Sequence, residues 1–419
     1  MTGPQTIRER ARWLSLPGNV WIVTLTSFLM DVSSEMLFTL LPLYLSNVLG
    51  ARTDVIGLIE GVAETTASFL KLFSGWLSDR IGRRKWLAVA GYAISTGVKP
   101  FLLLARSWVG VLAIRFGDRV GKGIRTAPRD ALIADSTDPG RRGLAFGIHR
   151  AGDTAGAVVG LLIALAVVWA GQGEAFALSP SVFRTLILLS IPPAALAVLM
   201  LAVAARDVPR RSPPRETPRF GLGGLPRRFK VFLLVVVVFT LGNSSDAFLI
   251  LRAQAAGLPL LGVLGMMISF NLVYALASGP AGALSDRLGR RRLILGGWLI
   301  YAAIYLGFTR VTAGWQAWPL MTAYGLYYAL TEGVAKAFVA DLVPPAQRGR
   351  AYGVYNAAIG FSALPASLIA GVLWQGHGSW RGFGPAAPFL FGAGMALLAT
   401  FLGFVTFPRP MITSGTPDP

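Results

Sequence analysis

The chain contains no cysteine and only two histidines, His149 and His377, among its 419 residues. Disulfides and thiolate-bound metals are therefore excluded, and a histidine-rich metal cluster lacks ligands. Charge is also scarce: Asp, Glu, Lys and Arg make up 14% of the residues, against about 25% in ordinary soluble domains. No Gly-x-x-x-x-Gly-Lys-Ser/Thr loop is present, which argues against nucleotide-driven work. No nucleophile–His–acid set appears, so the sequence points to no enzyme, metal centre or cofactor. Behind Arg8, Arg10 and Arg12 there is no short apolar run ending in small residues. The first apolar block therefore reads as a retained helix rather than a signal peptide.

What the chain has instead is apolar length. Hydrophobic residues make up 54% of it and the mean hydropathy is +0.58. The apolar residues come in blocks such as Val231 to Leu241 and Leu186 to Ala205. Helices of about 20 such residues cross the roughly 30 Å hydrocarbon core. The short alternating segments of a membrane β-barrel are absent. The expected fold class is all-α integral membrane, multi-pass, with helices near 20–49, 55–78, 86–105, 108–128, 143–170 and 182–205. A second set follows near 229–253, 258–284, 292–310, 315–340, 349–374 and 385–407. The fourth is unusually polar, and its identification leans on the repeat described below.

The formal charge of +19 does not call for a nucleic-acid partner, because the cations cluster in short segments between apolar blocks. Arg80, Arg83, Arg84 and Lys85 follow the second block, and Arg141 and Arg142 the fourth. Arg287, Arg290, Arg291 and Arg292 follow the eighth, and Arg348 and Arg350 the tenth. The alternate loops hold scattered cations such as Arg52, Arg106 and Arg310. By the positive-inside rule both termini are cytoplasmic, in a cell inner or plasma membrane. The Pro- and Arg-rich stretch 206–228 reads as a cytoplasmic linker between bundles at 1–205 and 229–419.

The two bundles repeat. Gly75-Trp76-Leu77-Ser78-Asp79-Arg80-Ile81-Gly82-Arg83-Arg84 returns 207 residues later as Gly282-Ala283-Leu284-Ser285-Asp286-Arg287-Leu288-Gly289-Arg290-Arg291. Ser33-Ser34-Glu35 matches Ser244-Ser245-Asp246, while Ala134-Asp135 and Arg142-Gly143 match Ala340-Asp341 and Arg348-Gly349. Three matches at nearly constant offset imply duplication and halves related by an axis along the membrane normal. Within the motif, Gly75 permits close helix approach, Gly82 suits a tight reversal, and Asp79 is an acid among cations that invites an Arg partner or a helix N-terminus.

These residues closely resemble the Gly-x-Leu-x-Asp-Arg-x-Gly-Arg-Arg signature of the major facilitator superfamily, and the resemblance covers essentially the whole chain. It implies twelve transmembrane helices in two pseudo-symmetric six-helix bundles around a central cavity, working by alternating access. It also implies a conformational latch on the cytoplasmic side. Here the latch would be carried by Gly75, Asp79, Arg80, Gly82 and Arg83, with Gly282, Asp286, Arg287, Gly289 and Arg290 as the second copy. The alternative is a topology anchor only. Arg119-Val120-Gly121-Lys122-Gly123-Ile124-Arg125-Thr126-Ala127 resembles the family's fourth-helix motif, with Lys122 where Gln is usual. Gly152-Asp153-Thr154-Ala155-Gly156-Ala157-Val158-Val159-Gly160 resembles the fifth-helix motif of proton-coupled antiporters, with Gly156-Ala157 replacing the usual Gly-Pro step.

Ionisable residues inside the bilayer cost roughly 2.5–3.5 kcal/mol each on insertion scales and need partners or a watery cavity. Here they fall on helical stripes: Asp31 and Glu35; Glu60, Glu64 and Lys71; Arg115, Asp118, Arg119, Lys122 and Arg129; His149 and Asp153 flanking Arg150. Setting aside Arg129–Asp130 as a helix end, the first half balances Asp31, Glu35, Glu60, Glu64, Asp118 and Asp153 against Lys71, Arg115, Arg119, Lys122, Arg125 and Arg150. The second half is sparser, with Asp246, Arg252, Glu332 and Lys336, the last two spaced to pair with each other. The expected proton-coupling residues are Asp31, Glu35, Glu60, Glu64, His149 and Asp153. The substrate-binding candidates are Arg115, Arg119, Lys122, Arg150, Asn271, Tyr328, Glu332 and Lys336. Each has a plain alternative as a structural ion pair or packing residue. The same holds for Tyr324, Tyr327, Tyr355, Trp374 and Phe270, which either hold an organic substrate or form interfacial belts.

Three functions fit these residues. The leading one is proton-coupled export of small organic or drug-like solutes by a secondary carrier, a monomer surrounded by lipid. The second is a carrier for an organic anion or metal chelate, favoured by Arg115, Arg119, Lys122 and Arg150. The third is a membrane receptor that binds without transporting.

Overall fold

A computed structural model describes residues 16–81, 83–138, 141–208, 222–344 and 347–407. Within them the chain forms twelve helical spans, here α1 to α12. The first six are α1 (Gly18–Asn47), α2 (Thr53–Ile81), α3 (Arg84–Leu103), α4 (Trp108–Ser136), α5 (Arg142–Gln172) and α6 (Pro180–Ala204). The second six are α7 (Arg227–Ala255), α8 (Leu260–Leu288), α9 (Arg290–Thr309), α10 (Ala317–Leu342), α11 (Arg348–Gln375) and α12 (Ala387–Thr406). The all-helical, two-half fold expected from the sequence is what forms. The turns α2–α3, α4–α5, α8–α9 and α10–α11 share one end of the bundle, called here the hairpin end; the α1–α2 and α11–α12 turns lie at the opposite, far end.

Nine spans are long and apolar enough to cross a bilayer by composition alone; α2, α4 and α10 are not. Each of these three carries charged residues that line the internal spaces, Glu60 and Glu64 of α2, Arg115 and Arg119 of α4, and Glu332 of α10. In α4, Arg115, Asp118, Arg119 and Arg125 are all buried. Conversely Leu199, Val203, Leu276, Leu390, Phe401, Phe404 and Val405 are exposed, an outer apolar surface suited to hydrocarbon rather than water.

The fourth helix differs from expectation. It does not end near 128 but runs on to Ser136, with Pro128 buried inside it. Arg129 and Asp130 therefore belong to the span. Two helices are also broken. α1 stops at Thr39–Leu40 and restarts at Leu41 with Pro42 in its first turn, where a missing N–H costs nothing. α7 stops after Gly242 and restarts at Ala247, leaving Asn243 to Asp246 non-helical. Both breaks border the same internal cavity, the setting in which irregular backbone is tolerated at membrane depth.

Within the first half, α1 lies between α5 and α6, and α4 between α2 and α3; within the second, α10 packs on α8 and α9, and α12 on α7 and α9. The halves meet where α2 runs along α11 and α5 along α8. The α2–α11 seam is close because glycines line it. A Cβ at Gly57 would stand 2.3 Å from the Ser367 carbonyl oxygen, and one at Gly360 2.1 Å from Ser68 Cβ. The glycines of the fifth-helix motif do the same inside the first half, Gly156 against the Phe28 carbonyl and Gly160 against that of Val32, each with 2.5 Å of space. In this structure that motif is the packing face of α5 on α1.

Candidate functional site

The cavity between the halves has a volume of about 400 Å³ and is walled by α1, α2, α4, α7, α8, α10 and α11. A space of that size suits a small organic molecule. Its first-half wall is charged. Arg115 Nη2 lies 3.0 Å from Glu60 Oε2 and Nη1 lies 3.9 Å from Asp118 Oδ2. One turn on, Arg119 Nη1 is 3.4 Å from Glu64 Oε1 and Nε is 3.9 Å from Asp118 Oδ2. The spacing of four along α2 and α4 stacks the two pairs, so each arginine meets its own glutamate. The Arg115 guanidinium also covers the Phe38 ring at 4.4 Å from its centroid. Glu35 accepts a hydrogen bond from Thr39, 2.9 Å away at the α1 break, and has no ion-pair partner among the described residues.

Behind α1 lies a residue that sequence reasoning passed over. Lys99 on α3 is fully buried. It donates to Ser33 Oγ, to Ser34 Oγ at 3.2 Å and toward Met30 Sδ at 3.7 Å. Ser33 in turn donates to the Ser190 carbonyl. All its acceptors are uncharged. The available signal was a lone Lys inside an apolar block, which is costly in itself.

A second cluster sits toward the hairpin end. His149 Nε2 is 3.1 Å from Ser27 Oγ, and its Nδ1 is 3.6 Å from Asp153 Oδ2. Arg129 reaches Ser27 at 3.2 Å, Asp130 at 2.9 Å and Asp153 at 4.0 Å. Arg129 therefore belongs with the fourth-helix stripe and also in the charge balance of the first half, from which a helix end at 129–130 would exclude it. Arg125 donates to Ser95 at 2.7 Å and covers the Tyr92 ring.

A third cluster joins the halves. Arg150 of α5 donates to the Tyr274 hydroxyl and to Glu332, 3.2 Å away. Tyr274 itself donates to Glu332, and Lys336 lies 3.0 Å from Glu332. The Glu332–Lys336 spacing does form a pair, and Arg150 extends it across 182 residues of sequence. These side chains border a vestibule of about 540 Å³ that opens beside α8 and α10. Tyr328 borders both spaces.

Several expected site residues stand apart. Asn271 donates to the Met267 carbonyl of its own helix. Lys122 is exposed, and neither it, Asp31 nor Lys71 has an ion-pair partner among the described residues. Among the expected latch residues, Gly82 and the side chain of Asp79 fall outside the described residues. Arg80 and Arg83 are exposed. It is Arg84 that reaches Asp135 on α4, at 2.9 Å. In the second copy Arg290 lies 3.6 Å from Asp286 and 2.5 Å from Asp341 and donates to the Ala337 carbonyl, while Arg287 is exposed. Gly289 adopts φ +90°, a left-handed turn position that favours glycine, and Gly282 and Gly75 have room for a side chain. These hairpin pairs all lie within one half. The ties across the far end are different: Arg52 donates to the carbonyls of Gln375 and Gly376, the Thr53 amide donates to Gln375 Oε1 at 2.7 Å, and His377 Nδ1 lies 3.1 Å from Asp54.

The sequence matches the Major Facilitator Superfamily profile over residues 23–269 and 247–419. The chain belongs to this superfamily. It is 36% identical over 393 residues to an MFS-type transporter of Methanocaldococcus jannaschii, covering 92% of this chain and 94% of that one. Superfamily folds solved by crystallography are similar to it throughout. The nucleoside transporter NupG (D323A mutant) gives a TM-score of 0.75 at 13% identity, covering 93% of this chain and 100% of that one. A bacterial homolog of the lysosomal transporter Spinster, inward-facing and occupied, also gives 0.75 at 16% identity, covering 92% and 96%. The facilitator is thus a multi-pass membrane protein and a secondary transporter rather than an enzyme. Facilitators bind small-molecule substrates and are usually monomeric. The central cavity is where two broken helices and both halves converge.

Proposed function

We propose that this facilitator exchanges protons for small organic solutes by alternating access, exporting them across the cell membrane. The observation that carries the reading is the pair of carboxyls, Glu35 and Asp246, that border the cavity from opposite halves with no cation within ion-pair distance among the described residues. A carboxyl in a closing cavity holds either a proton or a cationic or hydrogen-bonding solute, so solute entry displaces the proton. Glu60 and Glu64 are committed to Arg115 and Arg119 and act by relay, when those pairs loosen. His149 and Asp153 lie along the route from the hairpin end.

The hairpin end is cytoplasmic by its arginines. With the far end tied by Arg52, Thr53 and His377 and a vestibule beside Asp286 and Arg290 at the hairpin end, we read this conformer as the one facing the cytoplasm, still bridged on that side by Arg150 and Glu332. The hairpin pairs within each half are then the disengaged form of the latch. An anion carrier is disfavoured because both cavity arginines already face carboxylates.

The test is flux in proteoliposomes under an imposed pH gradient, screened over cationic, neutral and anionic solutes. Proton-driven flux that is lost in a folded Glu35→Gln protein supports the reading. Flux that survives that change overturns the coupling.

A further inference from the structure

The charges around the cavity do not balance. Counting Asp118, Lys99 and Arg125 behind the wall, and Asp31 and Lys122 a turn nearer the hairpin end, six carboxyls (Asp31, Glu35, Glu60, Glu64, Asp118 and Asp246) face five cations (Lys99, Arg115, Arg119, Lys122 and Arg125). The surplus is one negative charge, and Asp246 is the acid that lines the cavity from the second half.

Asp246 occupies the N-cap position of the second α7 segment, where a carboxylate ordinarily accepts a backbone N–H. It makes no such bond; Ser245 Oγ accepts the Ala247 amide instead, at 3.3 Å. The Asp246 side chain turns to Tyr324, whose hydroxyl donates to Oδ1 at 2.9 Å. Beside it, the Tyr328 ring is fixed by edge contacts to Tyr324 at 5.1 Å, Phe270 at 5.5 Å and Tyr274 at 5.7 Å. A lone carboxylate next to a held aromatic face is the recognition chemistry of an organic cation. The opposite wall already holds one such arrangement, the Arg115 guanidinium on Phe38.

We infer that the cavity takes a monovalent organic cation, its charge seated between the Asp246 carboxylate and the Tyr328 ring. The inference rests on the cavity being the transport site. Asp246 supplies the charge complement and Tyr324 aims it; Tyr328 supplies the face that separates cations from neutral solutes. Proton exchange then centres on Glu35, in the other half, leaving solute and proton on separate walls.

Tetraphenylphosphonium and tetraphenylborate have the same shape and opposite charge, and their binding to the purified full chain tests this directly. The phosphonium is expected to bind saturably and at least tenfold more tightly than the borate. Asp246→Asn, which keeps an acceptor for Tyr324, weakens phosphonium binding at least tenfold. Tyr328→Leu weakens it severalfold, and Tyr328→Phe less. Equal or tighter binding of the borate overturns the proposal on the unsubstituted protein alone, whether or not the variants fold. So does phosphonium affinity unchanged in a folded Asp246→Asn protein. Counterflow of phosphonium at equal pH separates this from proton coupling. Counterflow without pH-driven flux sinks the coupling and leaves the cation site; pH-driven flux of a neutral solute without phosphonium binding does the reverse.

Discussion

Replacing Gly57 by alanine tests whether the α2–α11 seam sets which end of the facilitator is open. The new Cβ would lie 2.3 Å from the Ser367 carbonyl oxygen and 3.0 Å from its carbon, about 1 Å short of ordinary contact. The clashing atoms are backbone, so no rotamer change relieves them; the two helices must part near the far end. Overpacking of this kind costs about 1–3 kcal/mol. Here the cost falls on one conformer only, because α2 and α11 belong to different halves and separate when the far end opens. A differential of that size shifts the balance between two states about 5- to 150-fold. Gly156→Ala is the control. Its Cβ meets the Phe28 carbonyl at 2.5 Å, but α1 and α5 stay together in both states, so it should lower thermal stability without moving the balance.

The chain has no cysteine, so a single Ala363→Cys on the cavity wall is the only thiol. In intact cells, labelling of that thiol by a membrane-impermeant maleimide should rise at least fivefold with Gly57→Ala and stay unchanged with Gly156→Ala. Equal labelling in all three proteins, with Gly57→Ala folded, would refute the seam as a determinant of state.

Three further outcomes concern charged side chains. Glu60→Gln leaves Arg115 buried beside only Asp118 at 3.9 Å, and loss of one partner of a buried pair costs about 3–5 kcal/mol. Melting of the purified protein should fall sharply, and the double variant with Arg115→Met should recover most of the loss. Lys99→Met removes a buried ammonium that has only neutral acceptors, while Ser33 keeps its bond to the Ser190 carbonyl; the melting temperature should hold or rise, and a large fall would contradict this account. His377→Gln removes an exposed contact to Asp54, worth at most about 1 kcal/mol, so maleimide labelling at Ala363→Cys should rise less than fivefold.

How far the sequence revealed this arrangement depends on the range of each interaction. Periodicity placed Glu60 and Glu64 on one face of α2 and Arg115 and Arg119 on one face of α4, and these residues do pair. Glu332 and Lys336 are a local pair for the same reason. The end of α4 was hidden because Pro128 and two charges look like a terminus; the helix continues since Arg129 finds Ser27 and Asp153 on neighbouring helices. Lys99 was obscured because no acid stands at helical spacing from it. Arg150 with Glu332 and Tyr274 lies beyond any local pattern, being made only when the halves meet. The breaks in α1 and α7 were equally unreadable, because α1 runs straight through Ser33-Ser34-Glu35 while α7 unwinds at the matching Ser244-Ser245-Asp246.

The two kinds of ion pair divide the labour of motion. Arg115 ties α4 to α2 with both side chains about 5–7% exposed, Arg125 ties α4 to α3, and Arg129 ties α4 to α1 and α5. Breaking such buried pairs is costly, so the first half moves as one body. The second half ties α9 to α10 through ring contacts, Tyr301 stacked on Tyr305, Tyr324 on Tyr327, and Tyr301 edge-on to Tyr327. Between the halves the bonds are of another sort: Arg150 is 55% exposed and Glu332 33%, and Arg52 and His377 stand at the far-end surface. Water replaces such partners at little cost. Rocking therefore breaks mostly exposed polar ties between the halves, apart from the buried Thr53 hydroxyl on the Gly371 carbonyl and the packed α2–α11 seam, while the buried pairs of the first half travel intact and the carboxyls of Glu35 and Asp246 ride on opposite bodies.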